Sequence, residues 1–70
     1  MLLTINGNQE EIAGELTIQD LLVTKNVESP DMVSVELNGT IISRNDFTNV
    51  TVKENDTVEF LYFIGGGSSQ

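Results

Sequence analysis

Thr57-Val58-Glu59-Phe60-Leu61-Tyr62-Phe63-Ile64 runs without a turn signal into Gly65-Gly66-Gly67-Ser68-Ser69-Gln70. The first eight residues are rich in β-branched and aromatic side chains, which is the composition of a strand. The glycines that follow place no Cβ in the way of a neighbouring backbone, so such a tail can thread a narrow channel. Six residues lie beyond Ile64. At about 3.3–3.6 Å each they reach roughly 20 Å when extended. That is long enough to bring a terminal carboxylate into a deep active site while the globular body stays outside. Gly-Gly-Gly-Ser-Ser is equally the composition of a flexible linker, so the tail has to be weighed with the rest of the chain. The expected division is a folded domain over 1–64 and a flexible glycine-rich tail over 65–70.

Seventy residues allow one small domain, near the size at which folding buries only about 60% of the unfolded surface. There is no cysteine and no histidine, so neither disulfides nor the commonest metal ligands and general base are available. No metal site is expected, and stability must come from a core of Val, Ile, Leu and Phe. Eleven acidic residues face three basic ones (Lys25, Arg44, Lys53), a net charge of −8. Phosphate-rich partners need Lys and Arg to replace counterions, so no nucleic-acid role is expected, and an anionic membrane surface is disfavoured. The acidity suits solubility and docking to a basic protein patch. No apolar run approaches the length of a membrane span, and the N-terminus lacks a signal-peptide pattern. A cytoplasmic location is the expectation.

Working back from the final strand, Met1 to Ile5 begins as a strand with Leu3 and Ile5 on one face. Asn6-Gly7 is a strong hairpin signal, because both central residues of a type I′ turn need φ > 0. Asn8 to Ala13 returns as a second strand, polar except for Ile12, and so an edge strand. Thr17 followed by Asp20 forms a capping box with Asp in place of Glu. Ile18, Leu21 and Leu22 make one apolar stripe over a short helix at about residues 17–26. Asn26 can close that helix, and Pro30 keeps it from resuming. Met32 to Leu37 alternates, with Val33, Val35 and Leu37 on one face. Asn38-Gly39 is a second tight turn, and Ile41-Ile42 returns briefly. Arg44 to Asn49 is a loop or single helical turn pinned by Phe47. Val50 and Val52 suggest a short extended piece, and Asn55-Asp56 is a turn. Hairpin, helix, strand, irregular segment and final strand make an α+β fold with the helix on one face of a mixed sheet. The crossover rule places the strand after the helix parallel to a strand of the hairpin. In so short a chain this is a β-grasp (ubiquitin-like) arrangement.

Val35-Glu36-Leu37-Asn38-Gly39-Thr40-Ile41-Ile42, the turn Lys53-Glu54-Asn55-Asp56 and the ending Val58 to Gly67 resemble the ThiS family, ubiquitin-like sulfur carriers of thiamine biosynthesis. The resemblance covers residues 1–67, and its most specific part is the aromatic final strand leading into glycines. It implies a carrier whose C-terminal glycine, Gly67 preceded by Gly66, is adenylated with ATP by a ubiquitin-activating-type adenylyltransferase. Sulfur then displaces the adenylate, and the thiocarboxylate donates sulfur to a thiazole synthase. The carrier itself holds no cofactor, is not an enzyme and has no catalytic side chain. Family members usually end at the glycine pair, whereas Ser68-Ser69-Gln70 follow here. Either these three are a cloning remnant, or a peptidase removes them, or the chain has left the carrier role.

Two rival functions stand beside this one. The first is sulfur carriage for molybdopterin or another sulfur-containing metabolite. The second is a β-grasp interaction module that does not use its terminus. If Val58 and Phe60 face the helix, Leu61 and Phe63 lie on the opposite face of the sheet. Leu61, Phe63, Ile64 and Gly65 are the expected partner-docking residues. The competing reading is a small second core in which the loop around Phe47 covers Leu61 and Phe63. Glu36 and Glu59 flank that patch and read as a solvated face.

Overall fold

The two Asn-Gly pairs fold as their chemistry requires. Asn6 (φ 51°) and Gly7 (φ 86°), and Asn38 (φ 52°) and Gly39 (φ 87°), all lie in the left-handed region, which twists a two-residue turn to match its strands. In the computed structural model, which describes residues 1–28 and 30–62, these turns make the hairpins β1 (Leu2–Ile5)–β2 (Asn8–Glu11) and β3 (Val33–Leu37)–β4 (Thr40–Ile42). The last strand, β5 (Thr57–Tyr62), enters between them, and the sheet order is β2-β1-β5-β3-β4. β5 runs parallel to β1, with Ile5 opposite Val58, and antiparallel to β3, with Val35 opposite Phe60. This is the mixed sheet of the expected β-grasp, with β2 at an edge.

The helix α1 (Ile18–Thr24) crosses one face of that sheet. Thr17 Oγ1 accepts the Asp20 amide at 3.1 Å, and the Asp20 carboxylate accepts the Thr17 amide at 3.2 Å. The capping box read from the sequence is present. The next open donors are met from a distant loop. The Ile18 amide donates to Val50 O and the Gln19 amide to Phe47 O, both at 2.9 Å. All of the helix's early amides therefore have acceptors. At the other end Asn26 takes φ 55°. The Asn26 amide donates to Val23 O and the Val27 amide to Leu22 O, each at 3.0 Å, the bond pair of a Schellman closure.

Ile18, Leu21 and Leu22 pack with Leu3, Ile5, Val35, Val58 and Phe60, as their spacing predicts. Ile12, Val33, Phe47 and Val52 complete the same cluster. Several boundaries differ from the sequence reading. The helix is shorter than 17–26 because Thr17 is its cap and Lys25-Asn26 its closure. β2 stops at Glu11, after which Ile12 turns into the core. Met32 lies in a 3-10 turn over Pro30–Met32, outside the strand. That turn is held by the Arg44 guanidinium, which donates to Pro30 O and Val33 O at 2.8 Å each. Residues 50–52 make a single bridge, Thr17 with Thr51, and no strand. Val50 O goes to the helix entry, and the Val52 amide donates to Leu16 O at 2.9 Å, so this backbone is used on the helix instead of the sheet. The crossover also resolves differently. β3 runs in the direction of β2 but neighbours neither hairpin strand, because β5 takes the parallel place beside β1.

Candidate functional site

β5 is the central strand and the last one before the glycines in the sequence, so what holds it in the sheet bears on the site. Its start is held by Asn38. The Asn38 amide donates to Thr57 O at 2.7 Å, and Asn38 Oδ1 accepts the Thr57 amide at 2.9 Å. The Asn38 side-chain NH2 then donates to the Asp56 carboxylate at 3.0 Å. Its middle is held by Asn6. β1 ends at Ile5, but Asn6 extends the ladder: its amide donates to Val58 O at 2.9 Å, and Oδ1 accepts the Phe60 amide at 2.9 Å. The two turn asparagines thus clamp the strand that bears the tail. Sequence reasoning took both as turn chemistry and missed this second role. The available signal was that both Asn-Gly turns end strands neighbouring the last one.

Past Asn6, β5 continues to Tyr62 beside an open groove of about 490 Å³, lined in part by Asn8, Glu10, Lys25 and Phe60. Lys25 at the helix closure pairs with Glu10 of β2 across this groove. Tyr62 has the inward parity of Val58 and Phe60, yet it is 48% exposed because it stands at the end of the sheet. Leu61 points to the other face and is half-buried, with Ser34 of β3 opposite it. Phe47 belongs to the single core cluster with α1, and Leu61 does not. The loop around Phe47 therefore does not build a second core over Leu61. Of the expected site residues, Leu61 alone is described; Phe63, Ile64, Gly65, Gly66 and Gly67 lie outside the described residues, as does the 65–70 tail. Among the described residues no three carboxylates gather as a metal ion would need, and no helix is long and apolar enough to cross a membrane.

The chain is similar to several known proteins along almost its whole length. The ThiS family model matches residues 3–67. The sulfur carrier protein ThiS of Bacillus subtilis is 34% identical over 67 residues, covering 94% of this chain and 100% of that protein. A thiazole synthase of Paramagnetospirillum magneticum is 37% identical over 70 residues, all of this chain but 21% of the relative. The chain thus spans about a fifth of the thiazole synthases it matches. The crystal structure of the thiamine biosynthesis protein ThiS from Geobacter metallireducens superposes with a TM-score of 0.88 at 45% identity, over 96% of this chain and 100% of that one. With the family model matched over residues 3–67 and a full-length relative at 34% identity, the chain belongs to the ThiS family.

Proposed function

We propose that the working group of this protein is the carboxyl of Gly67, converted to a thiocarboxylate that delivers sulfur for thiazole formation. As a ThiS-family protein the chain is a small sulfur carrier of thiamine biosynthesis and not a catalyst. The observation that carries the finer reading is the placement of β5. A central strand, buried on one face and clamped by Asn6 and Asn38, ends at Tyr62, and Gly65-Gly66-Gly67 follow soon after it in the sequence.

A carboxylate is a poor electrophile until one oxygen becomes part of a leaving group. In the proposed sequence an adenylyltransferase of the ubiquitin-activating type joins the Gly67 carboxylate to the α-phosphorus of ATP, and pyrophosphate leaves. Hydrosulfide attacks the acyl carbon, the C–O bond to the phosphate breaks, and AMP leaves, giving the thiocarboxylate. No side chain of the carrier has to react, which fits a chain without Cys or His. ATP is bound by the enzyme, and the carrier needs only an unhindered end. Leu61, Phe63, Ile64 and Gly65 are the residues proposed to meet the partner. Thiazole synthase is the proposed acceptor, supported by the thiazole synthases that contain a stretch like this chain.

Ser68-Ser69-Gln70 must be absent for this chemistry, through a peptidase if they belong to the native chain. ATP–pyrophosphate exchange tests the reading. The chain ending at Gly67 should support exchange with its adenylyltransferase, and the chain ending at Gln70 should be inert until trimmed. Equal exchange by both would remove Gly67 as the determinant.

A further inference from the structure

The two asparagines that clamp β5 are also the only asparagines followed by glycine. An asparagine side-chain carbonyl carbon is an electrophile, and the next residue's backbone nitrogen can reach it by closing a five-membered ring. Glycine leaves that nitrogen unshielded. Nothing lies within 4 Å of where a Cβ would stand on Gly7 or Gly39, and Asn6 and Asn38 are both exposed. Each Oδ1 accepts a β5 amide at 2.9 Å, Phe60 for Asn6 and Thr57 for Asn38. An N–H aimed at that oxygen stabilises the negative charge that grows there when the carbon is attacked. The two sites differ at the NH2 group. That of Asn38 donates to the Asp56 carboxylate at 3.0 Å, and Asp56 is itself fixed by accepting the Lys53 amide at 2.7 Å. That of Asn6 has no acceptor among the described residues and borders the open groove. Asn6 can pivot on its single bond and keep the Phe60 donor. Asn38 must break a bond to a carboxylate whose charge also opposes the attack.

We infer that Asn6-Gly7 is a self-modification site in the clamp on β5, and that Asp56 guards Asn38-Gly39 from the same reaction. The Gly7 nitrogen gives its proton to hydroxide and bonds to Asn6 Cγ. The Cγ–Nδ2 bond breaks, ammonia leaves with a proton taken from water, and a succinimide closes. Water then adds to either ring carbonyl and opens it, leaving aspartate or isoaspartate at position 6. Aspartate still offers an oxygen to the Phe60 amide. Isoaspartate routes the main chain through the former side-chain carbonyl and lengthens a two-residue turn, so the middle of β5 loses its clamp. The inference concerns the hold on β5 and stands apart from the carrier chemistry.

The test is to age the full chain at mildly alkaline pH and follow the amide-to-acid mass gain, localised by fragmentation. Asn6 should convert roughly tenfold faster than Asn38, the factor expected for one further hydrogen bond to a charged acceptor. In urea, where neither side chain is held, the two rates should converge. Asp56→Asn keeps an oxygen for the Lys53 amide but withdraws the carboxylate, and should bring Asn38 close to the Asn6 rate without changing Asn6. The isoaspartate fraction, separated by anion exchange, should melt below the parent, whereas Asn6→Asp should melt within a few degrees of it. Equal rates at Asn6 and Asn38 in the folded chain, or no conversion of Asn6 until urea is added, would overturn the site. An Asp56→Asn chain that folds and still leaves Asn38 slow would remove the guard. If that variant does not fold, the comparison of the parent chain with and without urea still decides.

Discussion

Phe60→Ala tests the inward face of β5, on which the placement of the tail depends. Phe60 is 9% exposed and lies opposite Val35 with its ring in the core cluster. Truncating a buried Phe to Ala typically costs about 3–5 kcal/mol. Phe60 also lines the groove beside Asn6 and Lys25, so water can enter part of the space and the cost should sit near the lower end, about 3 kcal/mol. At about 0.05–0.15 kcal/mol per residue, the whole domain has roughly 3.5–10 kcal/mol to lose. A loss of that size should lower the melting temperature by about 12–24 °C, at about 4–8 °C per kcal/mol for a domain this small. Tyr62→Ala is the control on the same strand and of the same parity. Tyr62 is 48% exposed, and its loss should cost about 1 kcal/mol or less. Urea denaturation followed by circular dichroism, with the slope held constant, gives both values. If Phe60→Ala melts within a few degrees of the parent, or Tyr62→Ala costs as much, the inner face is misassigned.

Other perturbations follow from single contacts. Thr17→Ala removes the capping hydroxyl and should cost about 1 kcal/mol by denaturant titration, with Thr17→Ser restoring most of it. Asn38→Ala loses the bonds to Thr57 and Asp56 and leaves a Cβ residue at positive φ, so about 2 kcal/mol is expected. Asn38→Gly keeps the turn and should cost about half as much. The Met1 ammonium donates to the Glu11 carboxylate at 2.8 Å, and that bond raises its pKa above the usual 8.0. Its stabilisation is complete below pH 8.0 and is lost as pH rises through the folded-state value. Melting temperature should therefore fall across that range in the chain with a free Met1 amine, and Glu11→Gln should flatten the fall.

The fold was largely legible because strong local signals agreed with one another. Two Asn-Gly pairs set both hairpins, and Thr17 with Asp20 set the helix start. The Ile18, Leu21, Leu22 stripe matched the alternation of Leu3, Ile5, Val35, Val58 and Phe60. What escaped the sequence were bonds between distant segments. Val50 and Val52 have strand composition, yet Val50 O accepts the Ile18 amide and the Val52 amide donates to Leu16 O, so their backbone is used at the helix entry. Alternation alone could not place β3, since the position between β1 and β3 is filled by residues more than twenty places later in the chain. At the site, Leu61's outward direction was readable from parity, whereas the clamps from Asn6 and Asn38 were not. A turn asparagine announces its own φ but not what its side chain accepts.

The most direct test of the carrier claim is the intact mass of the Gly67-ended chain after incubation with its adenylyltransferase, ATP and a sulfur donor. The account predicts the gain of a single oxygen-to-sulfur exchange, localised by fragmentation to the carboxyl of Gly67 and absent from a Gly67→Val chain that folds normally. An unchanged mass under conditions in which the same enzymes convert a ThiS relative, or sulfur found on any other residue, would contradict it.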